Sequence, residues 1–439
     1  MLSSLGKPEL DALLLASRTR LPESAAAKLK ETVARCQSAP WFVYQTLVEK
    51  TFPLVFLNVQ THCPHAETGF AADVIKRLRP AVVARWLPKR EKLAELQAVL
   101  RQILEECRVP YMFLRGLSFA EQYYPVPPLR VSDDIDLLVP ASAHNTVEDA
   151  LVRAGFQYIR KPHFRQAQYA YEGLVELKHP EYPLAVDMVS KLTANSQIGP
   201  VSLDVDLVWQ SAVPRQGGEF DMNPADLFVH LIRHISHGHL FEIGVVRCCA
   251  DVAAFLKVAG PKTDWDHVKR QASHGQCWRG LEFFKHFYDR HYACESDPSL
   301  QPMLPSRPRI LPVERQLFVR CVITKQMALQ SRQNALWGKL LRMNLSLVTR
   351  FWLCDNPARI LRLLHMIACP SREEAVLIDD ENFAGPLPLR RLRIYALMAF
   401  VFSPGIVAGL LVRGVAALLR PFKRLLPARR IGPKARQRQ

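Results

Sequence analysis

From Pro8 to about Cys107 apolar residues return every three or four positions, as in ELDALLLASRTRL and REKLAELQAVLRQILEEC, punctuated by Pro53, Pro64 and Pro80. That spacing predicts amphipathic helices. Between Val109 and about Val213 the pattern shortens to runs rich in Val, Tyr, Phe and Ile: YMFL, IDLLV, FQYI, GLVELK, LAVDMV and SLDVDLVW, with a helical TVEDALVRAG among them. Such runs predict strands, and strands mixed with helices over this length predict a compact α/β module. Helical periodicity returns from Asn223 to about Cys369, in PADLFVHLIRHI, RCCADVAAFLKVAG, ERQLFVRCVITKQMAL and ARILRLLHMIAC. The expected organisation is an N-terminal helical region (1–107), an α/β core (108–213), a helical domain (220–370) and a distinct tail (390–439).

The tail changes the reading of charge. Lys and Arg number 58 against 41 Asp and Glu, a net charge of +17. Twelve of the basic residues lie from Arg390 onward, where no acid follows Glu381. Basicity therefore belongs mainly to the tail and does not argue for nucleic acid. Its few aromatic residues (Tyr395, Phe400, Phe402, Phe422) sit in apolar runs, which makes a base-stacking platform a poor fit. IYALMAFVFSPGIVAGLLV, Ile394 to Val412, has no charge but has Pro404 and Gly405 at its middle and a base at each end. A hairpin dipping into one leaflet fits it better than a span, and the helix-spaced Val415, Leu418, Leu419, Phe422, Leu425 and Leu426 with Arg420, Lys423 and Arg424 suit an anionic membrane surface. A last core helix followed by a basic tail is the competing reading. The ten cysteines include no C-x-x-C pair, and the first thirty residues do not resemble a secretory signal. The expected location is cytoplasmic, at the inner membrane face if the tail engages lipid.

Candidate chemistry concentrates in PYMFLRGLSFAEQYYPVPPLRVSDDIDLLVP, Pro110 to Pro140. Asp134 and Asp136 are two apart on an expected strand, so both carboxylates project from one face. Paired acids with oxygen donors suit Mg²⁺, which keeps further positions for water and phosphate oxygens. Upstream, Arg115, Gly116 and Ser118 lie between a strand and a helix, where a glycine lets backbone approach a phosphate and the first helical N–H groups donate to it. Asp133 reads as a turn residue, and Arg130 as either a phosphate contact or a surface charge.

A glycine and serine after a first strand, a helix, then a D-h-D strand resembles the nucleotidyltransferase superfamily with a DNA polymerase β-like fold. The longer run, R-G before the helix, a tyrosine-rich end, L-R, S-D-D-I-D-L-L-V and L-x-x-A-G-F, is similar to a bacterial family of largely uncharacterised nucleotidyltransferases. LLLASR, HLIRHISHGHLFEI and CCADVAAFL look like that family's flanking regions, so the resemblance runs from about Leu10 to Gly260. It implies an α+β fold with a polymerase β-like core between helical regions. It further implies two Mg²⁺ ions held by Asp134 and Asp136, an NTP donor whose triphosphate is held by Gly116 and Ser118, with Arg115 and Arg130 as candidate phosphate contacts beside them, and a third carboxylate on a later strand. Asp187, in YPLAVDMVSKL, is the preferred third acid and binds the catalytic metal; Asp204 and Asp206 in SLDVDLVW are the rival pair. Where many relatives are expected to have lysine before the glycine, this chain has Arg115, which also clamps phosphate.

The implied activity is transfer of a nucleoside monophosphate from an NTP to an unidentified small-molecule, glycan or protein acceptor. A catalytically degenerate, nucleotide-binding accessory or scaffold protein is the alternative. His230, His234, His237 and His239 form H-x3-H-x2-H-x-H without a metalloprotease base, which favours cleft-lining or core histidines over zinc ligands. Asp251 is expected to orient a basic side chain, and Cys248 and Cys249 to be small buried apolar groups.

Overall fold

The computed structural model describes residues 7–63, 69–182, 184–194, 201–293, 298–300 and 302–304, with isolated positions at 318, 349 and 353. Its N-terminal part is helical: α1 (Lys7–Ala16), α2 (Glu23–Ala34), α3 (Ala39–Val48), α4 (Phe52–His62), α5 (Phe70–Arg79) and α6 (Leu87–Cys107). Pro80 has no N–H to donate, and the chain passes there from α5 into a π-helical turn, Pro80–Trp86, before α6 begins. In α6 the buried Leu93, Leu96, Gln97, Leu100 and Leu104 make one stripe, which is the face pressed on the core. Arg108, at φ 52°, ends the helix in a left-handed cap.

The α/β part follows as β1 (Met112–Phe113), α7 (Gly116–Tyr123), β2 (Asp134–Leu138), α8 (His144–Arg153), β3 (Gln157–Tyr158), α9 (Pro162–Glu172), β4 (Leu174–Lys178) and β5 (Ala185–Val189). The five strands form one mixed sheet in the order β1-β2-β5-β4-β3. Only β2 and β5 run parallel; the other pairs are antiparallel. Alternation assigns the faces: Ile135, Leu137, Val175, Leu177, Val186 and Met188 are buried on one side, while Asp134, Asp136, Glu176 and Asp187 lie on the other.

Two small antiparallel pairs come next, β6 (Leu192–Ala194) with β7 (Val201–Leu203), and β8 (Val213–Pro214) with β9 (Phe220–Asp221), separated by α10 (Val205–Gln210). The SLDVDLVW run is therefore not one strand. Asp204 caps α10, its Oδ1 accepting from the Asp206 and Leu207 N–H groups at 3.1 and 3.2 Å. Capping turns the chain helical where alternation alone predicted a strand, so Asp204 and Asp206 do not share a strand face. The C-terminal described part is α11 (Pro224–Arg233), a π-helical turn at His234–Gly238, α12 (Val245–Val258), α13 (Trp265–His274) and α14 (Trp278–Phe287). The whole is an α+β fold with a small mixed sheet among many helices.

Ties across the sequence draw the helical parts onto the core. Trp86 Nε1 donates to the Pro128 carbonyl at 2.6 Å, Arg101 Nε to Glu219 at 2.8 Å, and the Val246 N–H to Glu49 Oε2 at 2.7 Å. Among the described residues no helix is long and apolar enough to cross a membrane. The apolar run 394–412 and the basic amphipathic run after it lie outside the described residues.

Candidate active site

The β2–β5 register places Asp136 directly beside Asp187, and Asp134 two residues along the same face. Because the strands are parallel and in register, the two side chains point the same way. Across β5, Glu176 of β4 faces Asp187 and is bound by Arg160. Burial, followed by the charges of Asp136, Asp134 and Glu176, pushes the Asp187 carboxyl up to about 8. Asp134 is raised as well, by burial and then by Asp136, against the opposing pull of Arg115, Lys50 and Arg247. Three acids this close resist simultaneous ionisation until positive charge joins them. Some of that charge is built in: Arg115 Nη2 donates to Asp136 Oδ1 at 2.6 Å.

The turn before α7 explains the glycine. Gly116 has φ +63°, and a Cβ there would stand 3.3 Å from Ser132 Oγ and 3.7 Å from the Asp134 carbonyl. Backbone thus passes close to the start of β2, which only a residue without a side chain permits cheaply. Ser132 reinforces the approach by donating to the Asp134 carbonyl at 3.1 Å.

Two expected phosphate contacts have other partners. Ser118 is buried and its Oγ accepts from Gln97 Nε2 of α6 at 3.0 Å, so its hydroxyl faces α6. Arg130 is 4% exposed, neither a surface charge nor a group open to phosphate. Its Nε and Nη2 donate to the two Asp251 oxygens at 2.9 and 3.0 Å, its Nη1 donates to the Gly116 carbonyl at 3.1 Å, and it stacks over Phe119. Arg130 therefore props the glycine turn from behind, held by the acid expected to orient a basic side chain. Asp133 points away from the acid pair and binds Lys50 and Lys89, each at 2.6 Å.

The histidines pair among themselves and with neighbours. Nε2 atoms of His234 and His239 are 2.9 Å apart, His230 Nδ1 is 3.3 Å from Arg233, and His237 Nδ1 is 2.7 Å from Ser236. Burial and then the Arg115 charge depress His234 well below its ordinary value and His239 to about 4, so both are neutral; Arg115 stands near both, and Asp134 near His239. Leu240 and Phe241, at φ 50° and 56°, hold the following turn in the left-handed region. Sequence reasoning gave no role to Ser132, although it opens the run S-D-D-I-D-L-L-V, nor to Lys50 and Arg247, which stand outside the quoted D-h-D and glycine motifs.

Among the described residues no set of three or more His, Cys, Asp or Glu side chains is drawn together as a metal cage. The three aspartates offer only oxygen donors and an excess of buried negative charge, which is the donor chemistry a hard divalent cation takes, with Arg115 the group now balancing Asp136.

No curated protein and no solved structure matches the chain. Residues 37–293, more than half of it, match a family described as uncharacterised nucleotidyltransferase, and the matched span contains the whole five-stranded sheet, the glycine turn and the three aspartates. The chain belongs to the uncharacterised nucleotidyltransferase family.

Proposed function

We propose that the protein transfers a nucleoside monophosphate from an NTP to an acceptor hydroxyl, on a core related to that of DNA polymerase β. The observation that carries this reading is the register of β2 on β5, which sets Asp136 beside Asp187 with Asp134 on the same face. In this reading Asp134, Asp136 and Asp187 hold Mg²⁺. Bound there, the cation supplies the charge that stabilises the attacking and leaving oxygens of an in-line displacement. Asp187, beside Asp136 on the same face, is the group placed to hold the catalytic cation and to help activate the acceptor hydroxyl. Gly116 and the first N–H groups of α7 offer donors to a phosphate, and Arg115 has N–H groups beyond the one spent on Asp136, its buried Nε being without a partner.

The Arg115–Asp136 ion pair, with no closed three-acid cage among the described residues, favours a second reading: a family member that binds nucleotide without turnover. Calorimetric titration with ATP, GTP, CTP and UTP, with and without Mg²⁺, tests both. Magnesium-dependent binding of one nucleotide, lost in the Asp134→Ala, Asp136→Ala double variant, together with pyrophosphate release on adding acceptor extracts, is the result expected of the transferase. Binding with no turnover under any acceptor supports the second reading, and no binding at all removes both.

A further inference from the structure

Arg247 occupies a position that costs the folded chain and repays it with little. It lies in the first turn of α12, where the helix dipole disfavours a cation. It is half-buried, and Arg130 and Arg115 stand near enough for their charges to oppose its own, so that burial and these neighbours hold its proton affinity down. The other cations around the carboxylate face each have an acid: Arg115 has Asp136, Arg130 has Asp251, and Lys50 and Lys89 share Asp133. Among the described residues Arg247 has none. Asp251, one turn further along α12, already gives both oxygens to Arg130 and accepts from the Tyr124 hydroxyl at 2.7 Å. What Arg247 does have is one long hydrogen bond, Nη1 to the Val131 carbonyl at 3.5 Å, in the segment that leads into β2.

Val131, whose carbonyl Arg247 binds, stands three residues before Asp134, and the Arg247 charge acts on Asp134, His234 and His239, so it lies at the margin of the acid face. A guanidinium has five N–H donors in a fork that matches phosphate oxygens, and here at most one is engaged. We infer that Arg247, delivered by the helical region after the core, binds the β- and γ-phosphates of the donor triphosphate and steadies the pyrophosphate as it leaves. This rests on the nucleotidyltransferase reading above and adds to it a residue that no D-h-D or glycine motif contains. It also gives the post-core helices a part in the reaction, since α12, which packs against α7 through Phe255 on Tyr123, then carries a donor-binding residue.

The test uses the full-length protein, with inorganic tripolyphosphate and the four NTPs and NMPs as probes in the presence of Mg²⁺. Arg247→Met should weaken tripolyphosphate and NTP binding by roughly tenfold to a hundredfold, the range for a lost charge-assisted bidentate contact, and leave NMP binding within about twofold. The same variant should melt no lower than the wild type, because an unpaired, half-buried cation has been removed, whereas a purely structural arginine would lower the melting point and leave the affinity ratio untouched. Should the Met variant fail to fold, Arg247→Lys carries the test, keeping charge but losing the fork, with triphosphate binding weakened about threefold to tenfold. Wild-type triphosphate affinity in a folded Arg247 variant overturns the inference and leaves the family chemistry standing. Absence of binding by the wild type to any NTP or to tripolyphosphate overturns both.

Discussion

Arg130 and Asp251 are each at most 5% exposed, and neither would be tolerated there without the other. Removing one partner leaves an uncompensated charge in the interior, so Asp251→Ala should cost about 3–5 kcal/mol in urea unfolding. Asp251→Leu combined with Arg130→Met should cost less than Asp251→Ala alone, and a double variant as weak as the single one would show that the pair is not the source of the loss. Glu172 is the opposite case, a buried carboxyl that no cation balances among the described residues. Burial first, with Glu176 adding to it, pushes it from the ordinary 4.5 up to about 7. The folded chain then holds a proton that the unfolded chain has released, and stability falls as pH rises across that window before levelling off above it. Glu172→Gln should lessen the fall in a melting-temperature profile taken from pH 4 to 8, the remainder belonging to Asp187, and raise the melting point at its alkaline end; a profile unchanged by the substitution would contradict the assignment. At this scale the acids of the site were legible and the basic residues were not. Asp134 and Asp136 declare themselves by spacing on a strand, and Asp187 by standing in an apolar run. Nothing local distinguishes Arg130, which reaches more than a hundred residues along the chain to find Asp251, from an arginine that holds phosphate. Ser118 misled for the same reason: its partner, Gln97, lies on a helix that the motif does not include.

Among elements, the turn from β1 into α7 and the pairing of β2 with β5 decide the geometry. Gly116→Ala forces a side chain into a left-handed conformation and against Ser132 Oγ, and should cost about 1–2 kcal/mol. If the turn sets the approach of α7 to the acids, nucleotide binding should fall along with stability; a variant that loses stability but binds nucleotide like the wild type would separate the two. Helices within the described residues were read well from the sequence because their apolar stripes run over several turns, as in α6 and α12, whereas ERQLFVRCVITKQMAL and ARILRLLHMIAC lie outside those residues apart from isolated positions. Strand alternation over eight residues proved ambiguous in SLDVDLVW, where the Asp204 carboxylate found backbone N–H groups to cap and the following residues coiled. YMFL, read as a strand of four, pairs regularly only at Met112 and Phe113, since Arg115 must already turn away to reach Asp136.

At the scale of the whole molecule, the division into regions by composition understates how far they depend on one another. The loop that carries Asp133 is tied to Lys50 after α3 and to Lys89 in α6, Pro128 is tied to Trp86, and Glu49 receives the first turn of α12. A fragment beginning at residue 108 loses all of these and exposes the stripe that α6 covers. It should lack a cooperative thermal transition, monitored by circular dichroism, where the full chain shows one; a sharp two-state melt of the fragment would establish the sheet as an independent unit. The order of the strands has a consequence in time as well. Asp136 and Asp187 stand about fifty residues apart in the chain, and the segment carrying α8, β3, α9 and β4 must loop out for β2 and β5 to lie side by side. Closing so long a loop gains nothing until the pairing is made, and parallel pairings of this kind are slow to form. A newly synthesised chain therefore has its helices early and its three sheet aspartates side by side late. In refolding, the carboxylate face of the sheet is among the last parts of the molecule to exist.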